Sequence, residues 1–305
     1  MTGQEWKMTW MAGGAGDTLG ASLRSPMHDP ITASEMEYLN PDWQGILASM
    51  GIVSFDDWWN QADETVEPAN TKPGNPAAWS KVSVMKTPCG RTIYLKRQEN
   101  FYPNNLIQRW CKELTFEREY RNYLKIRKAG VPTYDLVCFH SRRQNGKRQA
   151  IYVCEGLDGF SALTQLMPVW EREGWPDTTA RARLIDVLVE TLLHMHRSGI
   201  LHNALSPRHV FFNIPAGDPY AFPENIKMRL IDFERLKILK RGSDRAVQRD
   251  LFSLNRRCIA WPDRDRIRVL RKYLGIKKLD SSAKRAHARS RSAPASSTQN
   301  SLSGR

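Results

Sequence analysis

The stretch LHNALSPRHVFF, residues 201–212, is the most informative part of this 305-residue chain. A second stretch, LIDFER, follows at residues 230–235 and places Asp232 at the end of a short apolar run. Burying a carboxylate is costly unless a partner or a metal compensates its charge. Asp232 therefore predicts a functional position rather than a packing position.

Hydrophobic periodicity predicts helices and short strands on either side of the first stretch. In chain order, the predicted segments are a helix at 178–197, β-rich runs at 210–213 and 227–232, and helices at 245–259 and 263–274. For the first of these helices, Thr178 or Thr179 is the expected N-cap, and Ser198-Gly199 closes it.

The preceding part of the chain predicts mainly strands. Its segments are hairpin strands at 80–85 and 91–97, a helix at 114–128, an extended segment at 135–140 and a strand at 149–155. A Thr-Pro-Cys-Gly turn joins the hairpin strands, and Gly130 supplies the end of the helix. Strands first and helices second predict an α+β domain of about 200 residues.

Composition divides the chain into three parts. Residues 1–77, with stretches rich in Gly, Ala, Ser, Pro and Asn, predict a loosely structured N-terminal extension that holds one or two short helices. Three tryptophans of this extension are expected to dock on the main domain: Trp43, Trp58 and Trp59. Residues 78–280 are the main domain, and the Ser/Arg/Ala-rich residues 281–305 predict a disordered basic tail.

Charge and cysteine content limit the classes of partner and compartment. Lys and Arg number 46 against 32 for Asp and Glu, a formal net charge of +14 that favours an anionic partner such as phosphorylated lipid, a membrane surface or nucleic acid. The five cysteines are scattered without a Cys-x-x-Cys pair, which argues against a disulfide framework or a zinc site and fits a cytoplasmic protein. The sequence predicts neither a signal peptide nor an apolar span of about 20 residues, so any membrane association is expected to be peripheral.

Six groups of residues, in this order and spacing, resemble the Kdo/WaaP lipopolysaccharide kinase family, including its InaA-like members. They are YLKR (94–97), FEREYR (116–121) with AGVPT (129–133), YVCEGL (152–157), LHNALSPRHVFF (201–212), LIDFER (230–235) and RDLFSL (249–254). The resemblance implies a bilobed protein-kinase-like fold with a small strand-rich N-lobe and a helical C-lobe. It also implies a cytoplasmic protein that is peripheral at the inner membrane of a Gram-negative bacterium.

The resemblance implies an ATP site in the strand-rich half. Lys96 stands where the third strand of the family carries the lysine that contacts the α- and β-phosphates. An acidic residue on the next helix is expected to hold this lysine. Glu119 matches that position, with Glu117 as the reserve. Glu155, in the strand that resembles the hinge, is also expected to contact the nucleotide.

The resemblance further implies a Mg²⁺ site in the helical half. Asp232 matches the metal-binding aspartate, and a hard cation prefers carboxylate oxygen. His209 matches the second metal-ligand position, which is characteristically histidine in this family, although imidazole is a poorer Mg²⁺ ligand than oxygen. His202 is expected to orient the loop through hydrogen bonds.

The sequence departs from the family at Ala204. Counting back from His209, this is the position of the catalytic aspartate. A methyl group neither accepts nor orients the proton of a substrate hydroxyl, so base chemistry is expected to be weakened or lost.

Two hypotheses follow, and the sequence leaves open whether the protein is an enzyme. The first is an ATP- and Mg²⁺-dependent kinase that phosphorylates a sugar hydroxyl of the lipopolysaccharide inner core or its precursor. The second is a pseudokinase that serves as a nucleotide-binding regulatory or scaffold module in the cell envelope or stress response. Nucleic-acid binding is a weaker third reading, because no stacking-aromatic or zinc motif stands out.

Overall fold

The computed structural model of the chain describes residues 36–62, 64–72, 75–103, 113–239 and 244–277. The tail predicted at residues 281–305 and the first 35 residues of the predicted extension lie outside the described residues. Within them, none of the helices combines the length and the apolar character that crossing a bilayer requires.

A six-stranded antiparallel sheet forms most of the first half of the described structure. In order of pairing, its strands are β1 (Met36–Leu39), β5 (Leu136–Gln144), β6 (Lys147–Glu155), β4 (Thr92–Glu99), β3 (Asn75–Lys86) and β2 (Glu64–Lys72). β3 and β4 form a hairpin in which Ser83 lies opposite Leu95. This confirms the hairpin predicted at residues 80–85 and 91–97.

Helices form most of the second half. In chain order, the described helices are α1 (Gln44–Ser49), α2 (Phe55–Trp59), α3 (Thr115–Lys128), α4 (Leu163–Glu173), α5 (Thr178–Arg197), α6 (Asp244–Arg257) and α7 (Asp263–Leu274). The last four helices are accompanied by short strands, β7 (Ser161–Ala162), β8 (Ile200–Leu201), β9 (Val210–Phe212), β10 (Met228–Leu230) and β11 (Lys237–Ile238). β10, β9 and β7 pair in one small sheet, and β11 pairs with β8 in another. The structure thus confirms the helices predicted at 114–128, 178–197, 245–259 and 263–274.

The N-cap of α5 differs from the prediction. Asp177, rather than Thr178 or Thr179, is the last extended residue before the helix, and its Oδ1 accepts the backbone N–H groups of Thr179 at 2.7 Å and Ala180 at 2.9 Å. A carboxylate at this position satisfies two free N–H groups and also opposes the positive end of the helix dipole, which explains why it takes precedence over a threonine.

Residues 36–72, which the sequence assigned to the extension, belong to the sheet-bearing part of the structure. β1 pairs with β5, and β2 pairs with β3. Trp43 and Trp58 are buried, with 1% and 6% of their surface exposed, in an apolar cluster that includes Ile93 and Leu95 of β4. The docking expected for these tryptophans is therefore present, and the described sheet begins at Met36 rather than at residue 78. Pairing with β5 and β3 stabilises these strands, because their own hydrophobic alternation is weak.

Two further apolar clusters lie on either side of the predicted site. One packs α3 against the other face of the sheet through aromatic rings, including Tyr120 stacked on Phe139 with centroids 4.3 Å apart. The other fills the helical half, from α4 to α7. The chain between α3 and β5 connects them: Thr133 Oγ1 donates to the Leu230 carbonyl at 2.7 Å. This contact fixes the strand that leads to the LIDFER segment.

Candidate active site

Lys96 lies on β4 opposite Tyr152, so its side chain leaves the sheet on the face covered by α3. Its Nζ donates to Glu119 Oε1 at 2.6 Å, and the two side chains are 21% and 5% exposed. Burial alone would lower the pKa of Lys96, but the negative charge of Glu119, with smaller contributions from Cys154 and Asp232, raises that pKa above its ordinary value. The lysine is therefore held in its charged form.

The two glutamates of α3 have separate partners. Glu119 holds the lysine and also accepts a hydrogen bond from the Tyr134 hydroxyl at 3.4 Å. Glu117 instead forms an ion pair with Arg148 and accepts the backbone N–H of Leu114 at 2.8 Å. The geometry thus distinguishes the first choice from the reserve: Glu119 stabilises the lysine, whereas Glu117 caps its own helix.

One carboxylate holds the loop that follows β8. Asp250 of α6 accepts the backbone N–H of His202 through Oδ2 and that of Asn203 through Oδ1, both at 2.8 Å. The His202 ring donates from Nε2 to the Ile231 carbonyl at 2.9 Å and stacks on the His209 ring, with centroids 5.3 Å apart. His202 thus connects the loop to the LIDFER segment.

Ala204 is half-buried within this loop. Its carbonyl accepts a hydrogen bond from His209 Nδ1 at 3.0 Å. The adjacent Asn203 has a φ of 59°, in the left-handed region, and its side-chain amide donates to the Arg235 carbonyl at 3.2 Å. Asn203 therefore does not take the place of a carboxylate at position 204.

His209 and Asp232 form the second close pair of side chains in the site. His209 Nε2 lies 3.0 Å from Asp232 Oδ2. The Arg208 Nε donates a hydrogen bond to the same His209 Nε2 at 2.8 Å. Nδ1 carries a proton, because its partner, the Ala204 carbonyl, only accepts. The contact with Arg208 requires a lone pair on Nε2, whereas a hydrogen bond to Asp232 requires a proton there. The two contacts therefore exclude each other in any one protonation state.

Asp232 is an ionised carboxylate in a strained backbone conformation. Its φ of 65° lies in the left-handed region, which non-glycine residues adopt mainly where function requires it. Burial opposes ionisation, but the neighbouring His209, together with Lys96 and His202, lowers the pKa of Asp232 well below its ordinary value. The carboxylate is therefore charged at neutral pH.

Three carboxylates lie close to one another around Lys96. Burial, with the charges of Asp232 and Glu119, raises the pKa of Glu234 above its ordinary value, against the opposing effect of two arginines. The three carboxylates are thus close enough to affect one another, and Lys96 pairs with Glu119. A divalent cation would also compensate such an arrangement.

The donor set fits a magnesium ion bound jointly with phosphate. Asp232 Oδ2 and the lone pair of His209 Nε2, which Arg208 Nε contacts in this structure, are the donors that would hold the ion. Within the described residues, no group of three or more His, Cys, Asp or Glu side chains is arranged to hold a metal. Mg²⁺ usually takes one or two protein ligands and completes its shell with water and phosphate oxygens, so two ligands suffice.

Glu155 lies at the end of β6, next to the start of β4. Its carboxylate is engaged by Arg91, with Nε to Oε1 at 2.8 Å and Nη2 to Oε2 at 2.7 Å. Gly156 follows and donates its N–H to the Thr92 carbonyl at 2.7 Å. The Glu155 side chain thus joins the end of β6 to the turn between β3 and β4.

Sequence reasoning did not assign roles to three residues that the structure brings into the site: Asp250, Arg208 and Glu234. Asp250 lies in RDLFSL, one of the six groups that resemble the family. The sequence therefore indicates that this segment matters, but not that Asp250 binds the loop at His202. Arg208 directly precedes His209, and Glu234 lies two residues after Asp232. Charged residues in a loop are usually solvated, so neither residue type indicates a site by itself.

An antiparallel sheet with a lysine–glutamate ion pair, followed by a helical part with a histidine–aspartate pair, defines a protein of the kinase-like class. The model of the lipopolysaccharide kinase (Kdo/WaaP) family matches residues 56–273. Because this is well over half of the chain, the protein belongs to that family, as the sequence motifs predicted.

Comparison with solved structures supports the fold. The structure described as "WaaP in complex with acyl carrier protein" is similar, with a TM-score of 0.57 and 17% identity over 84% of this chain and 94% of that chain. At this identity the likeness shows the kinase-like fold alone. Comparison with curated protein sequences finds no significant match.

Proposed function

We propose that the chain binds Mg·ATP between its sheet and its helical part, and that these parts are the two lobes of a kinase. The observation that carries this proposal is the buried Lys96–Glu119 pair on one side and the His209–Asp232 pair on the other. The charged lysine binds phosphate oxygens of the nucleotide. Mg²⁺, when bound by Asp232 and His209, neutralises phosphate charge.

The proposed reaction is phosphoryl transfer to a sugar hydroxyl of the lipopolysaccharide inner core or its precursor. Family membership supports this acceptor class. The reaction takes place at the cytoplasmic face of the inner membrane, where the positive charge of the protein favours an anionic surface. Because Ala204 provides no general base, turnover is lower by about 10²–10⁴-fold than in a kinase with an aspartate there.

A specific observation favours a second function, that of a pseudokinase. Ala204 directs its carbonyl to His209, and Asn203 directs its amide to Arg235, so neither side chain accepts a proton from an acceptor hydroxyl. In this alternative the protein binds nucleotide and acts as a regulatory or scaffold module. Both functions need Lys96 and Asp232, and they differ only in turnover.

Thermal unfolding with and without Mg·ATP tests the nucleotide site. At a concentration of about 100 times the dissociation constant, bound nucleotide adds about 2.7 kcal/mol to the free energy of unfolding. We expect this stabilisation in the wild type and in Glu171→Ala, which alters an exposed residue of α4, and its loss in Asp232→Ala. The absence of any shift in the wild type at millimolar Mg·ATP would reject both functions.

Transfer of labelled phosphate to purified core lipopolysaccharide separates the two functions. If the protein is a kinase, the wild type labels the acceptor slowly and the Asp232→Ala variant does not label it at all. A pseudokinase shows the nucleotide-dependent stabilisation but gives no labelled acceptor with either protein.

A further inference from the structure

A basic cleft lies between the start of α5 and the length of α7, and it shares no residue with the candidate active site. Its volume is about 730 Å³, within the range of roughly 300–1,000 Å³ that is typical of ligand sites. Six cationic side chains line it against the single carboxylate of Asp265: Arg181, Arg264, Arg268, Arg271, Lys272 and Lys277.

Part of this positive charge is already neutralised. Arg181 Nε lies 2.8 Å from Asp265 Oδ2, and Lys272 pairs with Asp186. By contrast, among the residues that the structure describes, no ion pair is found for three arginines of α7: Arg264, Arg268 and Arg271. The cleft therefore keeps a surplus of positive charge.

The unpaired arginines are not required for the packing of α7. The helix buries its opposite side through Arg266, Val269 and Tyr273. Arg264, Arg268 and Arg271 follow one another at spacings of four and three residues, so they lie in a row on one face. Like charges at these spacings destabilise a helix, so the row points to an anionic ligand rather than to the fold.

Two apolar side chains also line the cleft. Ile267 and Ile276 are half-buried there. No aromatic side chain occurs among the lining residues of the described cleft. Nucleic-acid sites use aromatic rings on which bases stack, and the energetic centres of protein interfaces are enriched in Trp and Tyr. A cationic row together with apolar side chains instead suits a phosphate group attached to an apolar chain.

We propose that this cleft binds the phosphate headgroup of an anionic lipid and thereby places the helical part on an anionic membrane surface. The inference rests on the membrane partner of the proposed function and not on nucleotide chemistry. The sequence after the last described residue supports it, because residues 278–291 are rich in Lys and Arg and contain one acidic residue, Asp280. Basic segments next to an anionic surface add to its attraction.

Co-sedimentation of the full-length protein with vesicles tests the proposal. The probes are mixed phosphatidylcholine–phosphatidylglycerol vesicles and pure phosphatidylcholine vesicles. The test variant combines Arg264→Gln, Arg268→Gln and Arg271→Gln. The control combines Arg143→Gln, Arg172→Gln and Arg245→Gln, which removes the same charge from exposed positions elsewhere.

We expect the wild type and the control to bind the mixed vesicles and not the neutral ones. The test variant is expected to bind the mixed vesicles about 100-fold more weakly, since three cations near an anionic surface are lost. Stabilisation by Mg·ATP is expected to be equal in all three proteins, so a failure of the nucleotide site is recognised separately.

Each other outcome overturns the lipid assignment. Equal vesicle binding by the test variant and the control would show that the cleft is not the contact, and no vesicle binding by the wild type would remove the membrane partner itself. If inorganic phosphate stabilises the wild type but not the test variant while vesicle binding is unchanged, the ligand is a free phosphoanion. If polyglutamate binding is lost instead, the ligand is an acidic protein.

Discussion

At position 204 a methyl group stands where the family resemblance places the catalytic aspartate. Hydrogen bonds nevertheless hold the surrounding loop in place. The Ala204 carbonyl accepts one from His209, and Asp250 accepts the two backbone N–H groups that precede Ala204. The loop therefore keeps its form without the carboxylate. At this scale the missing feature is one side chain and not a distorted backbone.

Restoring a carboxylate tests this directly. We expect Ala204→Asp to increase phosphate transfer by about 10²–10⁴-fold, the range that a general base contributes. Ala204→Asn is the matched control, because it has nearly the same shape but does not act as a base at neutral pH. Equal rates for the two variants in the phosphate-transfer assay would mean that the rest of the site is not arranged for catalysis.

Asp250 is the residue whose loss is expected to disturb the loop most. Asp250→Ala leaves the buried N–H of His202 without its acceptor and removes a second hydrogen bond, to Asn203. Hydrogen bonds to charged groups contribute about 1.5–3 kcal/mol, so we expect a loss of about 3 kcal/mol in the free energy of unfolding. Urea denaturation measures it, with Glu171→Ala as the control.

The Asp250 prediction fails if the variant unfolds within about 0.5 kcal/mol of the control, the range of ordinary surface substitutions. A stable variant that no longer responds to Mg·ATP would still assign Asp250 a positioning role in the loop. The two measurements together therefore separate stability from site geometry.

At the scale of elements, β4 and β6 approach each other closely at Gly156, which directly follows β6. A Cβ added at Gly156 would lie 2.8 Å from Thr92 Cβ and 3.2 Å from the Thr92 carbonyl oxygen. We expect Gly156→Ala to lower the free energy of unfolding by about 1–3 kcal/mol, because backbone must move to accommodate the methyl group. Gly217→Ala, with nothing within 4 Å, is the control and is expected to be near neutral.

Urea denaturation of the two glycine variants gives the comparison. The same shift in both would contradict a strained junction. Because Thr92 starts β4, the strand that carries Lys96, a displaced junction is also expected to weaken nucleotide binding, which the thermal shift with Mg·ATP reports.

Several elements could be predicted from sequence because their signal is local. The helices at 178–197 and 263–274 carry strong periodicity and clear ends, and the hairpin has an alternating pattern around a turn. α4 gave no such signal, since Pro168 lies inside it, and β2 contains Pro68 with little alternation. Both are held by contacts distant in the chain, which a local pattern does not contain.

The candidate site divides in the same way. Lys96, Glu119 and Asp232 occur in motifs; in the structure Lys96 pairs with Glu119 and affects the charge state of Asp232. The engagement of Glu155 by Arg91 spans 64 residues and could not be read from spacing. Sequence therefore indicated which residues belong to the site, while the structure was needed to show which side chains are already paired.

At the scale of the whole molecule, residues 36–62 are part of the sheet-bearing half. Trp43 is 1% exposed, and the Arg91 guanidinium lies 4.0 Å from the centroid of its ring. We expect Trp43→Ala to lower the free energy of unfolding by about 3–5 kcal/mol, as for other buried aromatic residues. Val53→Ala, at an 82% exposed position, is the control for urea denaturation.

Equal stability of Trp43→Ala and Val53→Ala would show that these residues are an appended segment after all. A large loss for Trp43→Ala alone would extend the folding unit to the described N-terminal residues. It would also mean that shortened versions starting at residue 78 do not fold, because one face of the sheet would be uncovered.

The β2 edge of the large sheet has a consequence for how copies of the protein behave together. β2 pairs with β3 through three register shifts and contains a proline, which has no N–H to donate. Long regular edges are templates on which another chain can add a strand, while irregular edges are not. At high concentration, polymerisation through the β2 edge is therefore disfavoured by the strand itself, without help from surface charge.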